Sequence, residues 1–475
     1  MRTFIALLAI FCLCLKLTGQ QKLPGAYIGW KSAFVELHTI GNKKQSCTIV
    51  MRVDSIRVFL VEGNGTLSYL CNIPRLIGED FLGGFFKNEM LYLFLNNGNN
   101  PGIHSFYYNF TDKNLIEQII PFKINNKEER IIQRISSNNY FFYLTVAKKS
   151  PELIVYKFNN GSQFDTHRFI VTGGIMSELN TGKSFLFSKP EIDIEKVDME
   201  GECDIETAKS KHKIYVQNDS LLLLLNNKKA VTDVLSFDLK TNTISNRVIY
   251  HSRAEENAGK EVFNSFLFRN KVYYAAASRN NLLVQVNDFY TGKILQEFKA
   301  EKDSEIDFKN TIITKEGGVF STKRREVTST KELLRKLSDG MLAITASANV
   351  NEKEIQVQIG SLKEVNNGGG GGMMWSGGGG FATPGGWVST APVFIPTGGF
   401  YRSNWVNSAR FKMLLNGQTA AHLKGSLPLL INDKIEDYTK DIKIPKEGEN
   451  LFVLNGNYYY IFYDKREREL SLVRF

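Results

Sequence analysis

One local pattern recurs five times along the chain: an asparagine followed three and four residues later by an apolar or aromatic pair. Asn88 precedes Leu91-Tyr92, Asn138 precedes Phe141-Phe142, Asn218 precedes Leu221-Leu222, Asn270 precedes Tyr273-Tyr274 and Asn455 precedes Tyr458-Tyr459. After the first four copies come a polar break, a second apolar stretch and another turn, as in LIVYKFNNGS and VLSFDLKTNT. Asparagine enters the left-handed backbone of a tight turn at little steric cost, and the flanking runs are rich in side chains that suit a pleated surface. Each copy therefore reads as a β-hairpin with the asparagine as turn-former. Repetition of such a unit at about fifty-residue or longer spacing is the sequence form of a β-propeller.

The runs 91–95 and 140–146 are apolar almost without interruption, as expected of inner strands covered on both faces. The intervals from Asn88 to Asn138 and from Asn218 to Asn270 each hold one blade. The interval from Asn138 to Asn218 holds a blade plus an insertion, and that from Asn270 to Asn455 two or three blades, with strands near 311–314, 341–346, 355–359 and 410–415. Segments 48–53, 56–61 and 67–71 make an earlier blade. The expected fold is all-β: a single β-propeller over 21–475 with about seven blades, in a range of six to eight. Residues 26–40 are expected to pair beside the C-terminal strands 458–463 and 470–475, which would leave no open edge.

Arg2, the apolar stretch 4–15 and Thr18-Gly19-Gln20 make a cleavable export signal over 1–20, which would carry off Cys12 and Cys14. Neither cysteine follows the small residue of a lipid-attachment signal, and no later apolar run approaches the roughly 18 residues of a membrane span. A secreted, periplasmic or outer-membrane-associated protein is expected. Cys47 and Cys71 lie on neighbouring apolar stretches and either join as a disulfide or stay as buried thiols; Cys203 is left over. Six scattered histidines and the lack of a CxxC pair give no metal signature, and no cofactor motif occurs. The formal charge is +10. On an exported chain this suits peripheral contact with an anionic surface such as lipopolysaccharide, acidic glycan or membrane headgroups, against the plainer account of a solvated basic surface. The densest basic cluster is Lys323-Arg324-Arg325, and no nucleic-acid-binding motif is present.

One short helix is expected over 328–339, its Leu333, Leu334 and Leu337 serving core packing. Residues 366–407 are the most unusual segment, with two glycine tracts and three of the four tryptophans. Glycine tracts resist ordering, whereas Met373, Met374, Trp375, Phe381, Trp387, Phe400, Tyr401 and Trp405 are side chains that make contacts. This insertion is the expected partner-binding element, the competing account being a lid packed over the protein's own face. The acidic run 191–206 lacks the spacing of an EF-hand and is expected to be a solvated insertion. No GxSxG or HExxH occurs, and Asp165, Asp233 and Asp288 read as turn acids. Asn64, Asn109, Asn160 and Asn218 begin glycosylation sequons, a number that so asparagine-rich a chain yields by chance.

The export signal, the irregular aromatic hairpins, and IGSLKEV followed by a Gly/Met-rich insertion and ARFKMLL resemble a group of uncharacterised secreted bacterial β-propeller proteins. The resemblance implies an envelope location and a propeller fold but no activity. Two functions follow: a non-enzymatic binding or scaffold module that engages an envelope protein or glycan, or a carbohydrate-active enzyme, glycosidase or lyase, with its cleft on a propeller face.

Overall fold

The computed structural model describes residues 20–30, 35–41, 44–52, 54–76, 79–96, 102–137, 139–171, 194–197, 201–217, 219–256, 259–316, 325–348, 353–364, 406–439, 442, 444 and 448–475. Strands make up 59% of it and helices 6%, so the chain is all-β. The described residues form seven separate sheets. Strand β1 (Gln21–Tyr27) belongs to the last of them. Sheet I holds β2 (Glu36–Gly41), β3 (Ser46–Met51), β4 (Ser55–Val61) and β5 (Leu67–Pro74). Sheet II holds β6 (Phe81–Lys87), β7 (Met90–Asn96), β8 (Ile103–Asn109) and β9 (Asn114–Ile120). Sheet III holds β10 (Glu129–Ser136), β11 (Phe141–Ala147), β12 (Glu152–Phe158) and β13 (Phe164–Ile170). Sheet IV holds β14 (Ile194–Val197), then, after helix α1 (Ile205–Ala208), β15 (His212–Gln217), β16 (Ser220–Leu225), β17 (Val231–Asp238) and β18 (Thr243–Tyr250). Sheet V holds β19 (Val262–Phe268), β20 (Lys271–Ala277), β21 (Asn281–Asp288) and β22 (Ile294–Glu301). Sheet VI holds β23 (Ile313–Glu316) and β24 (Arg325–Val327), then, after helix α2 (Thr330–Asp339), β25 (Met341–Ala348), β26 (Glu354–Glu364) and β27 (Val406–Asn416). Helix α3 (Ile431–Thr439) precedes sheet VII, which is β28 (Glu449–Leu454), β29 (Asn457–Asp464), β30 (Glu469–Arg474) and, at its edge, β1.

Two compact units result, one from residues up to Arg75 together with Ile431–Phe475, the other from Leu76–Leu430. The first contains sheets I and VII around Trp30, Leu37, Phe59, Phe452, Ile461 and Tyr463. The second contains sheets II to VI. Within sheets II to V, burial falls from the first strands to the last: every residue of β11 is buried, whereas β9 and β18 are mostly exposed. That gradient is why the inner runs are continuously apolar and the fourth strands are not.

The repeated asparagines do what their chemistry predicts. Asn88-Glu89, Arg269-Asn270 and Asn455-Gly456 all have positive φ and close the first hairpins of sheets II, V and VII. Asn138 and Asn218 lie outside the described residues. A second recurrence escaped the sequence reading. Asn109, Asn160, Asp238, Asp288, Asn416 and Asp464 each accept backbone N–H groups two and three residues on through the side-chain oxygen, turning the chain near the end of a strand. Asn/Asp interchange and variable spacing hide this repeat. The sequon residues Asn109 and Asn160 are thus turn-formers, and so is Asp288, while Asp233 is a buried strand residue.

Several expectations need correction. The C-terminal strands are joined by β1, paired with β30 from Gln21↔Arg474 to Tyr27↔Glu469; of the expected segment 26–40 only Ala26 and Tyr27 take part, and Glu36–Gly41 lies in sheet I. The interval from Asn270 to Asn455 runs from the first hairpin of sheet V through sheet VI to the first hairpin of sheet VII, two repeating units and so within the expected two or three, with α2, α3 and residues 365–405 accounting for its length. The described helices number three, not one. Helix α3 is inconspicuous because its buried stripe has only two apolar residues, Ile431 and Ile435, with Thr439 completing it, and α1 is a single turn that begins at the end of the acidic run. Lastly Val406 and Asn407, placed in the insertion by sequence, begin β27 and pair with Glu364 and Lys363.

The acidic run is not a solvated insertion either. Its Ile194–Val197 adds a parallel strand to β15, and Val197, Cys203 and Ile205 enter the core. Cys47 and Cys71 are not joined: both are thiols, Cys71 pushed up to about 12 and Cys47 well above its ordinary range by burial. Among the described residues no helix is long and apolar enough to cross a membrane.

Candidate functional site

Helix α2 starts where Ser329 turns out of extended backbone and its hydroxyl oxygen accepts the Glu332 N–H, a capping arrangement that satisfies one of the helix's open donors. Leu333, Leu334 and Leu337 then fall on one face and are fully buried. The same spacing puts Arg335, Lys336 and Asp339 on the remaining faces. The Ser361 hydroxyl on β26 donates to the Lys336 carbonyl at 2.9 Å, tying the helix end to sheet VI.

Beside this junction lies a cavity of about 220 Å³ lined by Arg335, Lys336, Asp339, Ser361, Lys363, Ser408 and Ala409. Its walls are the end of β26 and the start of β27, the two strands that flank residues 365–405. These strands also carry IGSLKE and ARFKMLL, held in register as Ile359↔Phe411, Gly360↔Arg410 and Ser361↔Ala409. Gly360 is required there. A Cβ would stand 2.6 Å from the Ala409 carbonyl oxygen, 2.9 Å from Arg410 Cβ and 2.3 Å from Ile205 Cδ1.

The cavity is strongly cationic. Asp339, the single carboxylate of the lining, already faces Arg279 at 3.4 Å and Lys260 at 3.9 Å. Lys315 and Glu332 pair at 2.9 Å close by, and Arg325 stands opposite Lys315 in the β23–β24 ladder. Burial first, then the charges of Lys315, Arg335 and Lys363, hold the Lys336 ammonium below the ordinary lysine range, with Glu332 opposing them. Crowded cations of this kind favour an anion.

A second cluster of ionisable groups surrounds α1. Burial, then Asp204, pushes the Glu206 carboxyl up to about 7, with Lys209 and Arg410 opposing. Asp204 is also raised by burial, but its side chain is engaged as the cap of α1, accepting the Thr207 N–H at 2.6 Å. Arg410 binds Glu316 at 2.8 Å. The cluster thus sets the carboxylates of α1 within the field of the Arg410–Glu316 pair of sheet VI. Among the described residues no group of three or more His, Cys, Asp or Glu side chains is placed to hold a metal ion.

The partner-binding residues expected from sequence, Met373, Met374, Trp375, Phe381, Trp387, Phe400, Tyr401 and Trp405, all lie outside the described residues. What the structure adds is the site at their root. Arg335 and Lys336 occupy the faces of α2 that its buried leucines leave. The signal was there in the charged positions between them, but Ser361, Lys363 and Ser408 come from distant stretches that only the fold unites.

No family model and no curated protein matches the chain. Solved structures resemble it in outline. An oligogalacturonate lyase in complex with manganese aligns over 96% of this chain and 96% of its own, at 6% identity and a TM-score of 0.34. The WD40 domain of SCAP from fission yeast aligns over 90% and 81%, at 10% identity and a TM-score of 0.30. A prolyl endopeptidase aligns over 68% of this chain, which spans only 38% of that protein, at 9% identity and a TM-score of 0.28. Likeness this distant conveys neither substrate nor activity.

Proposed function

We propose that the seven sheets are the blades of one β-propeller, exported from the cell, that works without catalysis as a binding module for an acidic envelope component, protein or glycan. The observation that carries this reading is the cationic cavity between α2, β26 and β27, at the root of the glycine- and aromatic-rich segment. Antiparallel sheets of four or five strands and the pairing of β1 with β30 support the propeller. The excess of basic residues supports an acidic partner, and the aromatic content of 366–407 supports contact by that segment. The test is retention on native envelope fractions of the full chain and of a variant lacking residues 368–399. The full chain should be retained at about 0.1 M salt and released near 1 M, where the screening length falls from about 10 to 3 Å. The deletion variant should wash through; unchanged retention would remove the docking role.

A further inference from the structure

We infer that the cavity formed by Arg335, Lys336 and Lys363 is a site for a terminal oxyanion, a phosphate or sulfate monoester, presented by a larger ligand. This deepens the binding-module reading and names the group that the module would hold.

Size sets the first limit. At about 220 Å³ the cavity is smaller than the roughly 300–1,000 Å³ that encloses a drug-sized ligand, so it admits one small group while the rest of the ligand stays outside. Donor chemistry sets the second. Arginine and lysine side chains offer donors and no acceptor, so these three can receive only a group rich in acceptor oxygens. The Ser361 hydroxyl is spent on the Lys336 carbonyl and adds no donor.

Charge sets the third. Asp339 is matched by Arg279 and Lys260, and Glu332 by Lys315. No carboxylate among the described residues lies within ion-pair distance of Arg335, Lys336 or Lys363. The adjoining residues 365–405 contain no Asp or Glu, so that segment brings no carboxylate either. Three cations around a small cavity, Lys336 half-buried and Arg335 and Lys363 exposed, with the neighbouring carboxylates committed elsewhere, form a receptor for an external dianion. The lowered affinity of Lys336 for its proton agrees with this crowding.

The experiment is calorimetric titration of the full chain with inorganic phosphate and with glucose 6-phosphate, and in a separate arm flotation with phosphatidylcholine vesicles containing phosphatidic acid. Saturable binding of both soluble phosphates is expected, weakened about tenfold for each cation removed in Lys336→Ala and Lys363→Ala and largely restored in Lys336→Arg. Far-UV circular dichroism of each variant guards against misfolding. Binding of glucose 6-phosphate without vesicle flotation would identify a glycan phosphate as the source; flotation that glucose 6-phosphate competes away would identify a headgroup. Either supports the site. No heat with either soluble phosphate, or binding equal in wild type and the Lys336→Ala/Lys363→Ala double variant, overturns it. The two readings fail separately: phosphate binding with envelope retention indifferent to the double variant keeps this site and removes the envelope role, whereas retention without phosphate binding does the reverse.

Discussion

Asn264 on β19 makes the most consequential set of hydrogen bonds in the larger unit. It is 1% exposed, and its amide nitrogen lies 3.0, 3.1 and 3.4 Å from the carbonyls of Ala208, Lys209 and Ser210 and 2.8 Å from that of Leu342. Its oxygen accepts from the Lys213 ammonium at 2.7 Å and from the Ser265 N–H at 2.8 Å. One side chain therefore caps the carboxyl end of α1, joins it to β25 and shares a fully buried lysine. Asn264→Leu keeps the volume and removes every bond. Two carbonyls lose their nearest donors at about 1 kcal/mol each, and the charged Lys213 loses one acceptor at about 2 kcal/mol, so the cost should be about 4 kcal/mol. Urea unfolding followed by far-UV circular dichroism measures it. A companion Lys213→Met and the double variant give the coupling, expected above about 1 kcal/mol. A loss below about 1 kcal/mol in Asn264→Leu, or additive single variants, would refute the idea that this amide organises α1.

Two further expectations concern the same unit. His251 is buried, stacked on Tyr274 at 4.0 Å, and held by Thr232 and Asn287, and burial lowers it to about 4. With an unfolded value near 6.5, its contribution is intact above pH 6.5 and is lost as pH falls toward 4, about 3 kcal/mol in all; an NMR titration should find the imidazole neutral at pH 5.5, and a midpoint near 6.5 would contradict the burial argument. Gly360→Ala should lower stability by about 2–3 kcal/mol because the Ala409 carbonyl cannot retreat without breaking the β26–β27 ladder, whereas Gly259→Ala, with nothing within 4 Å, should be neutral; equal melting temperatures for the two would sink the packing account.

Hairpins built on Asn-type turns and continuous aromatic strands were legible from sequence because their signals are local. Asn88, Asn270 and Asn455 sit where backbone strain requires them, and the runs around Phe94, Tyr143 and Tyr274 are buried for the reason their composition suggests. What stayed hidden depends on partners far along the chain. Strand β14 is four residues in an acidic run, and only its pairing with β15 makes Ile194 and Val197 a buried pair. Strand β23 lies between β24 and β27, an order no periodicity reveals. The cavity needs Arg335 and Lys336 from the faces of α2 that its buried leucines leave, together with Lys363 from β26, which the Ser361 bond to the Lys336 carbonyl helps to hold against the helix.

The pairing of β1 with β30 imposes a sequence of events on biosynthesis. Gln21 and Arg474 are hydrogen-bonded at 2.6 Å although 453 positions separate them. Bringing such distant stretches together costs about 3 kcal/mol more entropy than closing a fifteen-residue loop. A nascent chain thus emerges with β1 unmatched, and that strand must wait until β30 has been made. Clipping Glu469–Arg474 would strand β1 as well, while a permuted chain with fused ends could form this sheet early and nucleate the rest around it.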